Sequence, residues 1–136
     1  MTIARVVDAS ALIDLVLRRP LDEQVSNWLA DEATDWHAPD LVGVEITSVL
    51  RRLVRAGDCS THRAQAALDD LRGLGLIVHP SDDLLDLALT LHGSVSAYDA
   101  VYAALAMMLP APLITADRRL AAAAADLCEI HISSPA

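Results

Sequence analysis

Short apolar segments alternate with amphipathic helical segments along the whole chain, and this alternation is the strongest constraint on its fold. Such short apolar runs between helices are typical of strands in a parallel sheet that helices cover on both faces. The sequence therefore predicts an α/β fold with three α/β/α layers around a central, mostly parallel sheet of four to five short strands. The predicted strands lie at residues 3–8, 35–39, 76–79, 112–115 and 129–133.

The predicted helices begin at capping residues and end at Pro or Gly. We expect Ser10, Asp40 and Ser81 to cap three of them, because short polar side chains accept hydrogen bonds from free N–H groups at helix starts. Pro20 and Gly57 end the first and third helices. The predicted helices cover residues 10–19, 21–32, 40–57, 60–75, 81–93, 96–109 and 116–127.

Length and composition favour one soluble domain over residues 1–136. A hydrophobic fraction of 54% in 136 residues is enough for a core and argues against disorder. The two cysteines, Cys59 and Cys128, fit neither a metal motif nor a disulfide framework, which favours a reducing compartment. The longest uncharged stretch, residues 100–116, contains two prolines and is too short to span a bilayer. We therefore expect a cytoplasmic protein.

The charge pattern excludes several function classes. The net charge is −9, which argues against a generic nucleic-acid binder with a basic surface. The chain contains no lysine, which excludes P-loop and receiver-like phosphoryl-transfer sites that need one. All ten basic residues are arginines, and their clusters are either phosphate contacts or solvated helix faces. The clusters are Arg18-Arg19, Arg51-Arg52-Arg55 and Arg118-Arg119.

Four acidic residues occupy positions where charge is unexpected. Asp8 directly follows the first apolar strand, and Asp117 lies just beyond the fourth. Ligands of parallel α/β proteins bind at the carboxyl ends of the strands, so these two residues are predicted at the same edge. Glu45 and Asp99 lie within otherwise apolar helical segments.

Each acid alone also has a purely structural interpretation. Asp8 could cap a helix, and Asp117 could stabilise the first turn of one. Asp99 stands three residues after Ser96, the spacing of a capping box. Glu45 is the hardest to explain in this way, because a glutamate beside a core stripe needs a partner, and its nearest helical cation is Arg52.

Taken together, the four acids indicate a cation site. Two unit charges 4 Å apart repel by about 4 kcal/mol at an effective dielectric constant near 20. A divalent cation among them would remove that cost, and all-oxygen ligands favour Mg²⁺ or Mn²⁺. The histidines show no metal-binding spacing; they are His37, His62, His79, His92 and His131.

Four segments carry a family resemblance. "VVDASALIDL", "LVGVEITSVLRR", "SAYDAVYAALA" and "LITADRRL" resemble, in this order, the acidic motifs of PIN-domain ribonucleases, and in particular VapC-type toxins of bacterial toxin–antitoxin pairs. The resemblance covers nearly the whole chain, and no acid is missing. The acidic net charge is the one departure from what RNA cleavage calls for.

The resemblance implies an endoribonuclease that depends on Mg²⁺ or Mn²⁺. Asp8, Asp99 and Asp117 would be metal ligands, and Glu45 would bind metal or orient the nucleophile. The products would carry a 5′-phosphate and a 3′-hydroxyl. Ser10 and Thr115 would orient carboxylates, although both could equally be simple helix caps.

The resemblance also implies partners. These are an RNA substrate of the tRNA or rRNA class, a cognate VapB-type antitoxin and a second copy in a homodimer. Arg52, Arg118 and Arg119 would contact RNA phosphates. An apolar helix of the antitoxin could dock on the second and third helices, although core packing explains the same side chains; these are Val25, Trp28, Leu29, Val49 and Leu53.

Two other functions stay open at this point. One is a catalytically silent PIN-fold module that holds a basic protein partner in its acidic pocket. The other is a structure-specific DNA nuclease, but this chain has no room for the DNA-gripping segments of that class.

Overall fold

A computed structural model describes residues 1–91, 93 and 95–136. The predicted helix over residues 81–93 includes His92, which lies outside the described residues. In the described part, the helices and strands follow the predicted order, with a short 3₁₀ helix at Ser81–Leu84 before α5. The strands are β1 (Ile3–Val7), β2 (Thr34–Pro39), β3 (Ile77–His79), β4 (Leu113–Thr115) and β5 (Ile130–Ile132). The helices are α1 (Ala9–Val16), α2 (Glu23–Ala30), α3 (Val42–Arg55), α4 (Thr61–Gly73), α5 (Leu85–Thr90), α6 (Ala97–Met108) and α7 (Arg118–Ala124).

The strands form one sheet in the order β3-β2-β1-β4-β5, and every described pair is parallel. The predicted α/β fold is therefore confirmed. Crossovers between parallel strands are right-handed as a rule, and with this strand order the rule puts α1–α4 on one face of the sheet and α5–α7 on the other. In agreement, α1 packs against α3 and α4, while α6 packs against β1, β2 and β4.

Helix α6 has more buried residues than any other helix of the described part of the chain. Seven consecutive residues of this helix, Ala100–Ala106, are buried, and four of them are alanine. Small side chains let the helix axis approach the sheet closely, and burial all round is typical of a core helix. The first turn of α6, which carries Asp99, is thereby held firmly beside the carboxyl edge of the sheet.

Three predicted helix caps are wrong. Helix α3 starts at Val42 without a side-chain cap, because the Asp40 carboxylate accepts hydrogen bonds from the backbone N–H and the hydroxyl of Ser81. That contact also occupies Ser81, so the 3₁₀ helix has no side-chain cap. Ser10 does not cap α1, because the cap of that helix is Asp8.

The structure also bears on the cysteines, on the apolar side chains of α2 and α3, and on membrane-spanning helices. Cys59 and Cys128 are both free thiols. Val25 is buried, and Trp28, Leu29 and Val49 pack against the core. Within the described residues, no helix has the length and apolar character needed to cross a membrane.

Candidate active site at the carboxyl edge of the sheet

The strand order of the sheet changes direction between β1 and β4, and the candidate site lies where these two strands end. Such a switch point leaves a crevice at the carboxyl ends, because the chain leaves the two strands in opposite directions. Asp8 directly follows β1, and Ala116 and Asp117 directly follow β4. The topology therefore brings together two sequence segments that are more than a hundred residues apart.

Asp8 is buried and held by three donors. The Thr115 hydroxyl donates to its Oδ2 at 2.6 Å, and the Ser10 hydroxyl lies 2.8 Å from its Oδ1. The backbone N–H of Ala11 donates to Oδ1 at 3.0 Å, which makes Asp8 the N-cap of α1. The Ser10 hydroxyl in turn accepts from the backbone N–H of Ala116 at 3.0 Å, so it links β4 to Asp8.

Burial raises the pKa of Asp8 to about 6, because a carboxylate loses hydration when it is removed from water. The negative charge of Asp117 raises it further. The hydrogen bonds from Thr115, Ala11 and Ser10 lower the pKa and offset part of this shift. Asp8 is therefore a carboxylate that is held in place at an electrostatic cost, the situation that a nearby cation relieves.

Glu45, on the first turn of α3, faces Tyr102 of α6. The phenol of Tyr102 donates a hydrogen bond to Glu45 Oε1 at 2.6 Å. Burial raises the pKa of Glu45, the hydrogen bond from Tyr102 lowers it, and the charge of Asp99 raises it again. The alternative ion pair between Glu45 and Arg52 is not formed in the part of the chain that the structure describes.

Asp99 and Asp117 share one cation, the guanidinium of Arg119. Arg119 Nη2 lies 2.9 Å from Asp99 Oδ2 and 3.3 Å from Asp117 Oδ2. Asp117 also caps α7, since its Oδ1 accepts from the backbone N–H groups of Arg119 and Leu120. Ser96 caps α6 by accepting from the N–H of Asp99, which leaves the Asp99 carboxylate free to bind Arg119.

The donor chemistry of these residues fits a hard divalent cation, but their spacing does not form a ligand shell. The four carboxylates are coupled in pairs, since Asp117 raises the pKa of Asp8 and Asp99 raises that of Glu45. Among the described residues, however, no three acidic, histidine or cysteine side chains are close enough to hold one ion. The Arg119 guanidinium instead occupies one oxygen of Asp99 and one oxygen of Asp117.

An open cleft of about 720 Å³ runs from this edge of the sheet along α1 and α3. We call it the carboxylate cleft. Its lining includes Ser10, Glu45 and Ala116, together with Asp14, Arg19 and Arg52. The exposed ring of Tyr98 also lines it.

Two of these features were missed by the reasoning from sequence. Tyr102 lies within an apolar helix and was not distinguished from the core, although it stands one helical turn after Asp99. Arg119 was expected on RNA phosphates, whereas the structure pairs it with Asp99 and Asp117. Arg118 and Arg52 are exposed, and Arg52 lines the carboxylate cleft.

Comparison with known proteins identifies the family of this chain. Residues 5–126 match the PIN domain. The chain belongs to the PIN domain family. The match runs from the first strand to the end of the last helix and includes Asp8, Glu45, Asp99 and Asp117.

Curated relatives of this PIN domain are named as VapC ribonucleases, which confirms the resemblance seen in the sequence. Ribonuclease VapC1 of Mycobacterium tuberculosis is 39% identical over 93% of this chain and 96% of its own length. Ribonuclease VapC9 of the same species is 36% identical over the same shares of the two chains.

Solved structures share the fold at low sequence identity. PAE2754 from Pyrobaculum aerophilum has a TM-score of 0.68 and 24% identity, with 94% of this chain and 83% of that chain covered. VapBC2 from Rickettsia felis, bound to a DNA fragment from its promoter, has a TM-score of 0.63 and 13% identity. That comparison covers 97% of this chain and 100% of the other.

Proposed function

We propose that this PIN domain is the toxin of a type II toxin–antitoxin pair, and that it is a metal-dependent endoribonuclease. The observation that carries the proposal is the meeting of Asp8, Glu45, Asp99 and Asp117 around one crevice at the switch point of the sheet. Membership of the PIN family and the names of its VapC relatives support the same reaction class. The proposed site of action is the cytoplasm.

Asp8, Asp99 and Asp117 are proposed to hold Mg²⁺ or Mn²⁺. When bound, such an ion lowers the pKa of water and neutralises charge on the scissile phosphate. Thr115 and Ser10 fix the orientation of the Asp8 carboxylate through the hydrogen bonds described above. For Asp99 and Asp117 to become ligands, Arg119 has to leave the space between them.

Glu45 is proposed to position the attacking water and to accept its proton. Tyr102 holds Oε1 of Glu45 through its hydrogen bond, so the carboxylate has a fixed direction. The pKa of Glu45 is raised toward neutral pH, which suits a group that accepts a proton. Tyr102 acts through Glu45 and is therefore a positioning residue.

The proposal is tested by incubating the protein with purified tRNA and rRNA in Mg²⁺, in Mn²⁺ and in EDTA. We expect endonucleolytic fragments with either metal, and none with EDTA or with Asp99→Asn. Asp70→Asn is the matched control, since it removes an exposed carboxylate of α4 away from the site. Intact RNA in both metals, or equal cleavage by Asp99→Asn, would contradict the proposal.

One observation favours a second candidate function. The Arg119 guanidinium between Asp99 and Asp117 shows that this acidic site accepts a basic side chain. A catalytically silent module that holds a basic partner would use the site in the same way. Calorimetry with Mn²⁺ separates the two functions, because the enzyme requires binding at millimolar metal and the module does not.

The proposed partners are a VapB-type antitoxin and a second copy of the chain. The VapBC name of one structural neighbour supports the antitoxin. For the homodimer, the edge strand β3 and helix α5 expose apolar side chains that a second copy could cover; they are Ile77, Val78, Leu85 and Leu89. Light scattering of the wild type and of Leu89→Arg tests the dimer, since the charged variant is expected to be monomeric.

A further inference from the structure

Two histidines that are distant in the sequence meet on the neighbouring strands β2 and β3. His37 Nδ1 lies 2.8 Å from His79 Nε2, although the two residues are 42 positions apart. We infer that this pair is a binding site for a transition-metal ion such as Zn²⁺, with one imidazole nitrogen from each strand as a ligand. The inference goes beyond the proposed function and does not rest on it, because both ligands lie outside the group of acids.

The register of the sheet places both rings on the same face. His37 pairs with Ile77 across the two strands, and His79 follows Ile77 by two positions. Side chains two positions apart in a strand point to the same side of the sheet. Trp36, the residue before His37, lines an apolar pocket together with side chains of α1 and α2. The histidine pair therefore lies on the opposite side of the sheet from that pocket.

Backbone contacts just beyond the two histidines fix the distance between the strands. The N–H of Asp40 donates to the carbonyl oxygen of His79 at 2.8 Å. The Asp40 carboxylate accepts a hydrogen bond from the backbone N–H of Ser81 at 3.1 Å. Strands β2 and β3 are thus joined at the end where the two rings meet. Ligands that are already held in place lose less conformational freedom when an ion binds.

The geometry of the two rings is close to the geometry that an ion requires. The ring centroids lie 5.1 Å apart, and the ring planes are inclined by 33°. With Zn–N distances of about 2.0–2.1 Å and a tetrahedral angle, two ligating nitrogens lie about 3.3 Å apart. The observed separation of 2.8 Å therefore has to increase by about 0.5 Å. A small rotation of the rings achieves that increase.

The ion would replace the hydrogen bond between the two rings. In the free protein, one of the two facing nitrogens donates its proton and the other accepts it with its lone pair. In the bound form both facing nitrogens direct their lone pairs at the ion. The donating ring then carries its proton on its other nitrogen. Both rings stay neutral, and the number of bound protons does not change.

The type of ligand decides which ion fits the pair. Imidazole nitrogen suits Zn²⁺, Cu²⁺ and Ni²⁺, whereas Mg²⁺ and Mn²⁺ prefer oxygen ligands such as the group of acids. In the part of the chain that the structure describes, no third acidic, histidine or cysteine side chain completes a ligand group with the pair. Water has to fill the remaining positions, and it can do so because both rings are partly exposed.

A bound ion would fasten the edge strand to the rest of the sheet. Strand β3 has three residues and lies at the edge of the sheet, next to β2. In the unfolded chain the two histidines rarely meet, because a long loop has to close to bring them together. An ion that binds the folded state in preference to the unfolded state adds to stability. We therefore expect Zn²⁺ to stabilise the protein through β3.

Calorimetric titration with Zn²⁺ near pH 7.5 tests the inference. We expect His37→Gln and His79→Gln each to weaken Zn²⁺ binding at least about tenfold, since each variant removes one of the two protein ligands. His62→Gln is the matched control, because it removes an exposed histidine of α4 and should bind like the wild type. Asp99→Asn should also bind like the wild type at this site, which separates the histidine pair from the group of acids.

Two further measurements report on the pair directly. In ¹⁵N NMR spectra of the imidazole groups, Zn²⁺ should shift the signals of His37 Nδ1 and His79 Nε2 and leave those of His62 unchanged. The melting temperature of the wild type should rise by about 5 °C at a Zn²⁺ concentration ten times the dissociation constant. The histidine variants should show no such rise. If His37→Gln does not fold, His79→Gln and the NMR spectra of the wild type decide the outcome.

Three results would overturn the inference. If no Zn²⁺ binds at millimolar concentration, the pair is a hydrogen bond between strands and no more. Equal binding by the wild type and both histidine variants would place the ion elsewhere. Loss of binding in Asp99→Asn, with normal binding in His79→Gln, would assign the ion to the acids. None of these results decides the proposed function, whose test is the cleavage of RNA.

Discussion

Asp8 caps a helix and also makes a contact with a second strand. Its Oδ1 accepts from the N–H of Ala11 and caps α1, while its Oδ2 accepts from Thr115 of the neighbouring strand. Asp117 shows the same combination, since it caps α7 and binds Arg119. A cap is therefore no argument against a site, because a carboxylate has two oxygens and the cap occupies only one.

Asp8→Asn is expected to stabilise the protein in EDTA at neutral pH. The pKa of Asp8 is raised from 3.8 to about 6, so the folded state binds this proton more tightly than the unfolded state. The ionised carboxylate therefore lowers stability above pH 6, and this cost disappears as the pH falls toward 4. Removing the charge should raise the free energy of unfolding by about 1–3 kcal/mol, measured by thermal melts. A lower melting temperature would show that the hydrogen bonds outweigh the burial cost.

Arg119→Gln is expected to tighten Mn²⁺ binding. Arg119 and a metal cation compete for the same oxygens of Asp99 and Asp117. The competition is modest, because the Arg119 side chain is 63% exposed and solvent weakens its ion pairs. We expect about a two- to fivefold gain in affinity by calorimetry. Arg118→Gln makes the same change in net charge at the adjacent exposed residue and serves as the control. Weaker Mn²⁺ binding would mean that Arg119 orients the carboxylates for the cation.

At this scale, the sequence reveals residues whose type is unusual for their surroundings. Glu45 and Asp99 are charges in apolar helices and could be singled out for that reason. Tyr102 could not, because a tyrosine in an alanine-rich core helix is ordinary until its partner Glu45 is known. Ser10 was expected either to cap a helix or to orient a carboxylate, and its hydroxyl contacts Asp8. Its second contact, with Ala116, could not be predicted because it joins elements distant in sequence.

At the scale of elements, α1 ends in a turn whose left-handed residue is usually glycine but is Arg18 in this chain. The N–H of Arg19 bonds to Asp14 O at 2.8 Å, and the N–H of Arg18 bonds to Leu15 O at 3.0 Å, with Arg18 in the left-handed conformation. Arg63 of α4 also donates to Val16 O at 2.7 Å. The backbone carbonyl groups at this end of α1 are thus hydrogen-bonded, but the backbone is strained at Arg18.

Arg18→Gly is expected to increase stability. Glycine adopts the left-handed conformation without the steric cost that a side chain brings. Part of this gain in stability is lost, because glycine also makes the unfolded chain more flexible. A net gain of about 0.5–1 kcal/mol in urea unfolding is expected. Arg18→Ala removes the same charge but keeps the Cβ, so it should show no such gain; equal effects of both variants would contradict the backbone explanation.

Neighbouring strands β2 and β3 carry a histidine pair that links stability to pH. His37 Nδ1 lies 2.8 Å from His79 Nε2. Burial lowers the pKa of His37, the charge of His79 lowers it further, and Asp35 raises it. The unfolded state therefore binds this proton more tightly, and the stability that neutral His37 contributes is lost as the pH falls below about 6.5.

His37→Gln is expected to reveal this dependence. The advantage of the wild type over the variant in melting temperature should shrink between pH 7.5 and pH 5.5. The difference between the two proteins isolates His37 from Asp8 and Glu45, whose raised pKa values act in the opposite direction. An advantage that stays constant or grows in acid would contradict the assignment.

Element types were predictable, but their ends were less so. Alternating apolar and amphipathic segments are local properties, so the strands and helices could be located from sequence. The expected caps Asp40 and Ser81 instead bond to each other across 41 positions of the chain. Local capping rules do not include such long-range contacts, and for that reason both predictions were wrong.

At the scale of the whole molecule, the strand order decides where chemistry is possible. The alternation predicted a parallel sheet, but the order β3-β2-β1-β4-β5 depends on which crossovers pack together. That order puts β1 and β4 side by side and brings Asp8 next to Thr115. The sequence singled out the four acids, while the contacts of Arg119 and Tyr102 and the shape of the cleft required the structure.

The end groups of the RNA products test the central claim most directly. Attack by water at the scissile phosphate, with the bond to the 3′-oxygen broken, leaves a 3′-hydroxyl and a 5′-phosphate. Attack by the neighbouring 2′-hydroxyl instead leaves a 2′,3′-cyclic phosphate and a 5′-hydroxyl. Mass spectrometry of fragments formed in Mn²⁺ should show only the first pair, and these should be missing with Asp99→Asn. Cyclic phosphate ends, or fragments that form equally in EDTA, would contradict the account.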